Sequence, residues 1–472
     1  MFSPQAPRPD SFLRPNLANF SRFVSDPEPV HYSSNPTPRR RNRRRRELKH
    51  RAGLAILFLV LSVSAEPSGA QTPGQALTLE QAIAMALERQ PQIMARIGDL
   101  AAAQARVDQA LSPLLPQSTI SWSASRSQST SSLTQSRSVG TGTTLQITAS
   151  QLLFDFGKNF AATDAAKANA EVSRGDLELE KDLLIQTVKE SYFTLLLSKR
   201  LVAVNDRALE RADLNLRSAK GFFEVGTRPK SDVTRAEVDV ANARVDLIRA
   251  RNAVRLARVA LNTALAIEVN APTEVREILA YAPFPVDPAQ LAQEALRRRP
   301  DYMQVKARET AAEATVRQTF RQFLPDVTGT GTYGGTGSDF PLGEIWAAGV
   351  TLSWTWFDGL NNVARYREAK ANLDAAKNRT RVLELQIRQE AEQAYLALGE
   401  AEERIGAAQK GVESAQENFR LAQGRFDAGV GTIIELADAQ LALTRAQSTE
   451  AQGLADFRIA RARLEKALGR RD

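Results

Sequence analysis

The chain has 472 residues, no cysteine and two histidines, and its formal net charge is +8. The lack of cysteine excludes disulfides and thiol catalysis. Both histidines, His31 and His50, lie near the N-terminus, so a chain without that segment has no Ser-His-Asp triad and no His- or Cys-ligated zinc site. Residues 1–70 carry +7 of the net charge, and the basic balance is therefore poor support for a nucleic-acid partner.

The first 70 residues are typical of a disordered leader followed by a signal peptide. A run rich in arginine at residues 39–46 precedes an apolar run at residues 52–65. That apolar run is too short to span a bilayer as a helix but suits the hydrophobic region of a signal peptide. Small residues after it offer cleavage sites. The alternative is a nucleic-acid or nuclear-localisation patch in the arginine cluster.

From residue 77 onward the chain contains the same plan twice. The segment at residues 86–91 returns at 295–300, an offset of 209, and Phe154-Asp155 returns as Phe357-Asp358, an offset of 203. A unit of roughly 200 residues is far longer than a solenoid repeat, whose period is about 20–50 residues. The duplication indicates a pseudo-symmetric protein in which each copy supplies the same elements.

Each copy is predicted to begin with two helices. Thr78 suits the N-cap of the first helix, with Gln81 at the capping-box position, and Pro91 ends that helix. A second helix is expected from residue 92 to Leu111, where Pro113 and Pro116 stop it.

A β-hairpin then follows in each copy, at residues 118–154 and 326–357. Apolar residues alternate with Ser, Thr and Gly, and the polar face carries almost no charge. This pattern favours a membrane barrel with a wet interior, and aromatic residues near the strand ends suit its interfacial girdles. The aromatic candidates are Trp122, Phe154, Trp346, Trp354 and Trp356. A soluble sandwich with its apolar face inward is the alternative.

Two very long helical hairpins complete the copies, at residues 158–266 and 361–468. Their first helices contain no Pro and few Gly, and each would be roughly 95 Å long. Helices of that length need partners along their whole length, as in coiled coils. Gly226 and Gly429 suit the left-handed position that ends such a helix before a tight turn.

These elements predict a first repeat at 77–270, a linker at 271–287 and a second repeat at 288–468. In their order and duplication they resemble the TolC-type outer-membrane efflux proteins of Gram-negative bacteria. The resemblance rests on the Leu-Pro before each first strand, the Phe-Asp after each second strand, and the two helix-tip signatures. It covers about residues 77–468.

The resemblance implies an α+β membrane protein, a homotrimer with a twelve-stranded β-barrel (four strands per chain) continued by a long α-helical coiled-coil periplasmic tunnel. It implies an outer-membrane exit duct, with its helices in the periplasm, for small molecules such as drugs and toxic compounds, for metals, or for proteins by type I secretion. The expected partners are a periplasmic adaptor, an inner-membrane pump of the RND or ABC class, and outer-membrane lipid, with no cofactor, no metal and no nucleic acid.

The helix tips carry the candidate pore residues. Glu435 and Asp438 are three apart on one helix face, and they match the acidic constriction of the family at the tunnel mouth. Threefold symmetry would make each a ring of carboxylates that favours cations. For Glu435 the alternative is a capping box with Thr432. The first copy has Asp232 and Arg235 at the corresponding positions.

The turn itself supplies two further groups of candidates. Arg228 and Lys230 would hold a closed mouth by pairing with acids of a neighbouring hairpin, or else they are solvated turn charges worth little. The expected adaptor contacts are Gly226, Thr227, Gly429 and Val430. Asp155 and Asp358 are expected to N-cap the long helices.

Three functional hypotheses follow from the sequence. The first is an export duct that has no enzymatic activity. The second is a soluble periplasmic coiled-coil scaffold or adaptor. The third, a carboxylate-based hydrolase, lacks any site motif.

Overall fold

The computed structural model describes residues 76–130 and 137–471. The predicted leader and signal peptide lie outside these residues. The helices are α1 (Leu79–Arg89), α2 (Pro91–Leu111), α3 (Lys158–Glu224), α4 (Lys230–Ala264), α5 (Leu291–Arg298), α6 (Pro300–Arg321), α7 (Asn361–Asp427) and α8 (Ile433–Ala467). The strands are β1 (Gln117–Thr130), β2 (Arg137–Phe154), β3 (Asp326–Gly337) and β4 (Gly343–Ser353). Short 3₁₀ turns at Ser112–Leu114 and Pro288–Gln290 precede β1 and α5.

The strands form one antiparallel sheet in the order β1-β2-β3-β4. The register places Ile120 opposite Ile147, Ile147 opposite Tyr333, and Tyr333 opposite Trp346, so these four side chains form one row across the sheet. Directly opposed residues in antiparallel strands point to the same side. We call this side the apolar face; its exposed large apolar members include Ile120, Trp122, Leu145, Ile147, Tyr333, Trp346, Val350 and Leu352.

The opposite side, the Ser/Thr face, is connected across its strands by hydrogen bonds between hydroxyl groups. The Oγ1 atoms of Thr144 and Thr336 lie 3.0 Å apart, and those of Thr148 and Thr332 lie 3.4 Å apart. The apolar face remains open, since Trp346 is 75% and Val350 is 68% exposed. A soluble sandwich would bury that face, so the arrangement favours the membrane interpretation of the alternation.

The long helices pair into two antiparallel hairpins, α3 with α4 and α7 with α8. Helix α3 has 67 residues and α7 has 67 residues, which makes each about 100 Å long. The shorter helices α2 and α6 pack beside them, and α3 also contacts α8. Within the described residues, no helix combines the length and the apolar character needed to cross a membrane.

The main apolar core surrounds the middle of α3. Tyr192 is fully buried there, and its hydroxyl lies 2.9 Å from the backbone oxygens of both Leu77 and Arg276. Leu77 and Val275 form a parallel bridge. The phenol thus holds the start of the first repeat beside the linker, and burial raises the pKa of Tyr192 to about 12.

The junction between sheet and helices differs from the sequence prediction in two places. Strand β4 ends at Ser353, so Trp354 and Trp356 lie beyond the strand and the predicted hairpin to residue 357 was too long. The chain leaves the ladder there, and Trp354 Nε1 donates a hydrogen bond to the Phe323 carbonyl oxygen at 3.1 Å.

The second difference concerns the helix caps. A two-residue turn separates each aspartate from its helix, so the N-cap residues of α3 and α7 are Gly157 and Leu360 rather than the aspartates. Both N-cap residues adopt a left-handed backbone conformation. The carboxylates still cap: Asp155 accepts hydrogen bonds from the backbone N–H groups of Gly157 and Asn159 at 2.8 and 2.7 Å. Asp358 accepts one from Asn362 at 2.8 Å. The predicted role was right and the predicted N-cap position was wrong.

Candidate functional site at the helix tips

Both long helices end in the same hydrogen-bonded turn. Gly226 and Gly429 adopt φ values of 74° and 77°. In the first tip the N–H of Thr227 bonds to the Phe222 carbonyl, and in the second the N–H of Val430 bonds to the Arg425 carbonyl. This is the Schellman arrangement, which requires a left-handed residue and therefore favours glycine. The predicted left-handed role of both glycines is confirmed, and it leaves Thr227 and Val430 exposed at the turns.

Arg228 joins the two tips of the chain. Its Nη2 donates to the Gly431 carbonyl oxygen at 2.6 Å, and its Nη1 lies 3.7 Å from Oδ2 of Asp232. The guanidinium carbon also stands 4.8 Å from the centre of the Phe426 ring. Only 14% of the Arg228 side chain is exposed. The alternative of a solvated turn charge is therefore wrong for Arg228.

Close backbone approach explains why glycine occupies position 431. An added Cβ there would lie 2.9 Å from both the Arg425 Cβ and the Phe426 backbone nitrogen. Glycine lets the second tip fold tightly enough to present its carbonyl oxygen to Arg228. The position equivalent to Gly431 at the offset of 203 is Arg228 itself, so the duplicated tips touch through corresponding residues that have diverged.

A small apolar cluster lies directly beneath the tips. The rings of Phe222 and Phe426 meet edge to face with centroids 5.6 Å apart, which links the first hairpin to the second. Phe426 is completely buried. The buried members of the cluster are Ala422, Phe426, Ile433, Leu436 and Ala439.

The predicted acids occupy the start of α8. The capping box of Glu435 is confirmed, because its backbone N–H donates to Thr432 Oγ1 at 3.1 Å and its carboxylate accepts from the Thr432 N–H. Its Oε2 also lies 3.7 Å from Arg425 Nε. Asp438 is exposed one turn further along. Lys230 and Arg235 are exposed on the first turns of α4.

Asp239 on α4 is a charged residue of this region that sequence reasoning missed. The pKa of Asp239 lies above its usual value, chiefly because the carboxylate is partly buried. The positive charge of Arg235 opposes this shift, and the negative charge of Asp438 on α8 adds to it. Carboxylates of both hairpins therefore share one electrostatic environment near the tips. The second repeat has Ala442 at the equivalent position, so a comparison of the two copies does not single out Asp239. The signal that could have found it is its spacing of four residues from Arg235, which places the two charges on one helix face.

We expect Asp239→Asn to remove one pH-dependent contribution to the stability of the fold. Because the folded pKa is raised, protonation stabilises the fold at low pH and this contribution is lost as pH rises through the raised pKa. The amide removes the cost of burying a charge, so the variant should melt at a higher temperature than the parent chain at pH 7, and this difference should shrink as pH is lowered from 7 toward about 4. Melting in detergent across this range checks it, with the exposed Asp246→Asn as control. Equal pH slopes for Asp239→Asn and the parent chain would contradict it.

The aromatic candidates lie at two levels along the sheet and its junction with the helices. Trp122 and Trp346 occupy adjacent rows at one level, while Phe154, Trp354 and Trp356 lie at the helix end of the sheet. Trp122 stands opposite Leu145, nine residues from Phe154 along β2, or about 30 Å of strand. At a tilt of about 40° this is close to the apolar band of about 25 Å seen in membrane barrels.

Sequence comparison places these features among known proteins. A family model described as outer membrane efflux protein matches residues 82–266 and 291–470. The outer membrane efflux protein BepC of Brucella suis is 24% identical over 360 residues, covering 75% of this chain and 77% of that protein. The pyoverdine export outer membrane protein OpmQ of Pseudomonas putida is 26% identical over 405 residues, covering 79% and 83%.

Solved structures share the fold. The CmeC outer membrane channel of Campylobacter jejuni superposes with a TM-score of 0.76 at 19% identity, over 83% of this chain and 85% of that one. The outer membrane protein VceC of Vibrio cholerae gives 0.74 at 20% identity, over 83% and 96%. The predicted TolC-like fold, with a four-stranded sheet per chain continued by long helical hairpins, is thereby confirmed.

Proposed function

The chain belongs to the outer membrane efflux protein family, and from that premise we propose that it is an exit duct, not an enzyme. Three copies would close a twelve-stranded barrel in the outer membrane and extend it as a helical tunnel through the periplasm. The duct would be passive, with a periplasmic adaptor and an inner-membrane pump of the RND or ABC class supplying recruitment and energy. No nucleic acid takes part.

The exposed apolar face of the sheet carries this proposal. A four-stranded sheet with an apolar face open to the outside and a hydroxyl-lined face behind it has the polarity of a membrane barrel. Strands β1 and β4 are the two edges of the sheet within the described residues. Pairing of β4 with β1 of a second copy would satisfy both edges, as a spanning sheet requires.

Small organic molecules are the cargo class that we propose first. One relative is named for the export of pyoverdine, and another for nodulation. The Ser/Thr face provides many weak hydrogen-bonding groups and few charges, which suits passage of varied polar solutes rather than tight binding of one. Proteins and metals remain the other cargo classes of such a duct.

At the tunnel mouth we propose rings formed by Glu435 and Asp438, with Asp232 and Arg235 as their first-repeat counterparts. A reconstituted wild-type trimer should conduct in planar bilayers with cation selectivity, since clustered carboxylates attract cations. Asp438→Asn should move the reversal potential in a salt gradient toward zero, and Glu435→Gln should do so less because its carboxylate also caps α8. The exposed Asp246→Asn is the control. A water-soluble monomer, or no conductance, would refute the duct.

We further propose that the adaptor binds at the exposed turns, where it contacts Gly226, Thr227, Gly429 and Val430.

We also propose that Arg228 keeps the mouth closed. Arg228→Gln should raise the open probability about tenfold, because one hydrogen bond from a charged donor contributes about 1.5–3 kcal/mol. Lys230 at the same tip would add long-range attraction only. Single-channel recording checks this, with Arg420→Gln, which removes an exposed charge from α7, as control. Equal open probability in the Arg228 and Arg420 variants would contradict the latch.

A further inference from the structure

Two arginines of the first β-hairpin lie on the apolar face of the sheet. The register sets Trp122 opposite Leu145, Arg126 opposite Thr141 and Thr130 opposite Arg137. Side chains two apart along a strand share a face, so Arg126 and Arg137 point to the same side as Trp122. Both are exposed. They therefore face away from the Ser/Thr face and from the proposed path of the cargo.

Their height along the strands is beyond the apolar band. Arg126 lies four residues past Trp122, about 13 Å along the strand and roughly 10 Å in height at a tilt of about 40°. The backbone of Arg137 lies further from the apolar band than that of Arg126. Its side chain nevertheless donates a hydrogen bond from Nη2 to Oε1 of Gln128, which is two residues from Arg126. The two guanidinium groups are thus brought toward one level, the level at which lipid headgroups follow the acyl chains.

Within the described strands of the first hairpin, no acid neutralises this pair. The described strands β1 and β2 contain Arg126 and Arg137 and neither Asp nor Glu. Guanidinium groups bind phosphate through paired N–H donors and hold it more specifically than an ammonium does. The polar neighbours on the same face, Gln128 and Thr141, add donors without adding negative charge.

We propose that Arg126 and Arg137, with Gln128, form a binding site for the phosphate groups of lipid headgroups in the outer leaflet. The site rests on the proposed membrane placement of the sheet. Charge complementarity selects lipids whose phosphate groups carry a net negative charge over zwitterionic lipids, in which an ammonium group balances the phosphate. The apolar face below the site receives the acyl chains. Lipid held in this way fixes the height of the barrel in the membrane from one side.

The chief competitor for Arg126 is a carboxylate of a second copy. Glu344 on β4 lies on the apolar face, in the row of Gly335, Leu145 and Trp122. In a barrel closed by several copies, β4 of one copy would lie beside β1 of the next. A pairing of Arg126 with Glu344 of a second copy would be an assembly contact rather than a lipid site.

The test measures lipid binding by the full-length protein in detergent. Native mass spectrometry should show diphosphoryl lipid A retained more strongly than monophosphoryl lipid A, and both more strongly than phosphatidylcholine. The double variant Arg126→Gln, Arg137→Gln should lose roughly tenfold of its diphosphoryl lipid A affinity. Arg255→Gln, which removes an exposed charge from α4, should lose none. Inorganic phosphate should compete weakly, because it lacks the acyl chains.

Two results would overturn the site. One is equal lipid A affinity in the double variant and the parent chain. The other is a fall in the heat stability of the oligomer that Glu344→Gln reproduces, which would assign Arg126 to the contact between copies. Failure of the wild-type protein to enter membranes at all would instead overturn the duct and the site together, and extraction of each variant with and without detergent separates these cases.

Discussion

Replacing Lys189 with methionine should lower the free energy of unfolding by about 3 kcal/mol, the largest single loss expected among the helices. Lys189 Nζ lies 2.6 Å from Oε2 of Glu465, and both side chains are only 5% exposed. The pair joins α3 of the first repeat to α8 of the second. Methionine fills similar volume, but it leaves the buried Glu465 carboxylate without the lysine charge and in an ion pair with Arg461 at 2.8 Å.

Two further variants separate charge burial from packing. Lys189→Met combined with Glu465→Leu should recover most of the loss, because an apolar pair of similar volume often replaces a buried ion pair without cost. Lys410→Met removes a lysine from an ion pair on α7 whose side chains are 72% and 69% exposed. That change should stay within about 0.5 kcal/mol. Denaturant unfolding in detergent measures all three, and equal losses at Lys189 and Lys410 would refute the argument.

Local signals in the sequence predicted most of the fold because they act over a few residues. Thr78 with Gln81, and Thr432 with Glu435, form the capping boxes expected from their spacing. Gly226 and Gly429 end their helices in the expected left-handed conformation. Each of these features depends on hydrogen bonds within a single turn. The duplication repeats the left-handed glycine but not the capping boxes, because the counterpart helices α4 and α5 begin without a side-chain cap.

Contacts between distant segments were beyond the reach of the sequence. Lys189 shares its helix face with Gln186 and Asp182, and nothing in that local pattern indicates a partner 276 residues away. From the sequence alone, Arg228 is predicted to be a charge in a turn. Its partner in the structure is the backbone oxygen of Gly431 in the second tip. Backbone acceptors carry no signature in the sequence, and helix-to-helix packing decides which of them are within reach.

Changes at the sheet–helix junction escaped prediction for a different reason. Leu360 and Phe156 adopt φ values of 69° and 53°, a left-handed conformation that neither residue type favours. Each lies in the turn between an aspartate and a long helix, where the direction of the chain is set by both elements at once. Tertiary geometry overrides local preference there, and the aspartates cap from two residues further back.

Gly334→Ala should prevent assembly of the proposed trimeric barrel, with a loss of about 3 kcal/mol or more in the sheet. An added Cβ at position 334 would collide with the Leu145 carbonyl oxygen and would lie 2.7 Å from the Gln146 Cα. Both obstacles are backbone, which no rotamer change relieves. Gly334 belongs to β3, which pairs with β2 on one side and β4 on the other, so any separation breaks hydrogen bonds in the centre of the sheet.

Gly349→Ala is the matched control for this effect. Gly349 lies on the same Ser/Thr face in β4, and a Cβ there meets nothing within 4 Å. Alanine at that position should change stability by less than about 0.5 kcal/mol. Unheated and heated samples of both variants, compared by electrophoresis after outer-membrane extraction, give the result. A Gly334→Ala protein that migrates as the parent oligomer would show that β2 and β3 do not approach as closely as their register requires, and the hydroxyl-lined interior inferred for the barrel would need a different strand alignment.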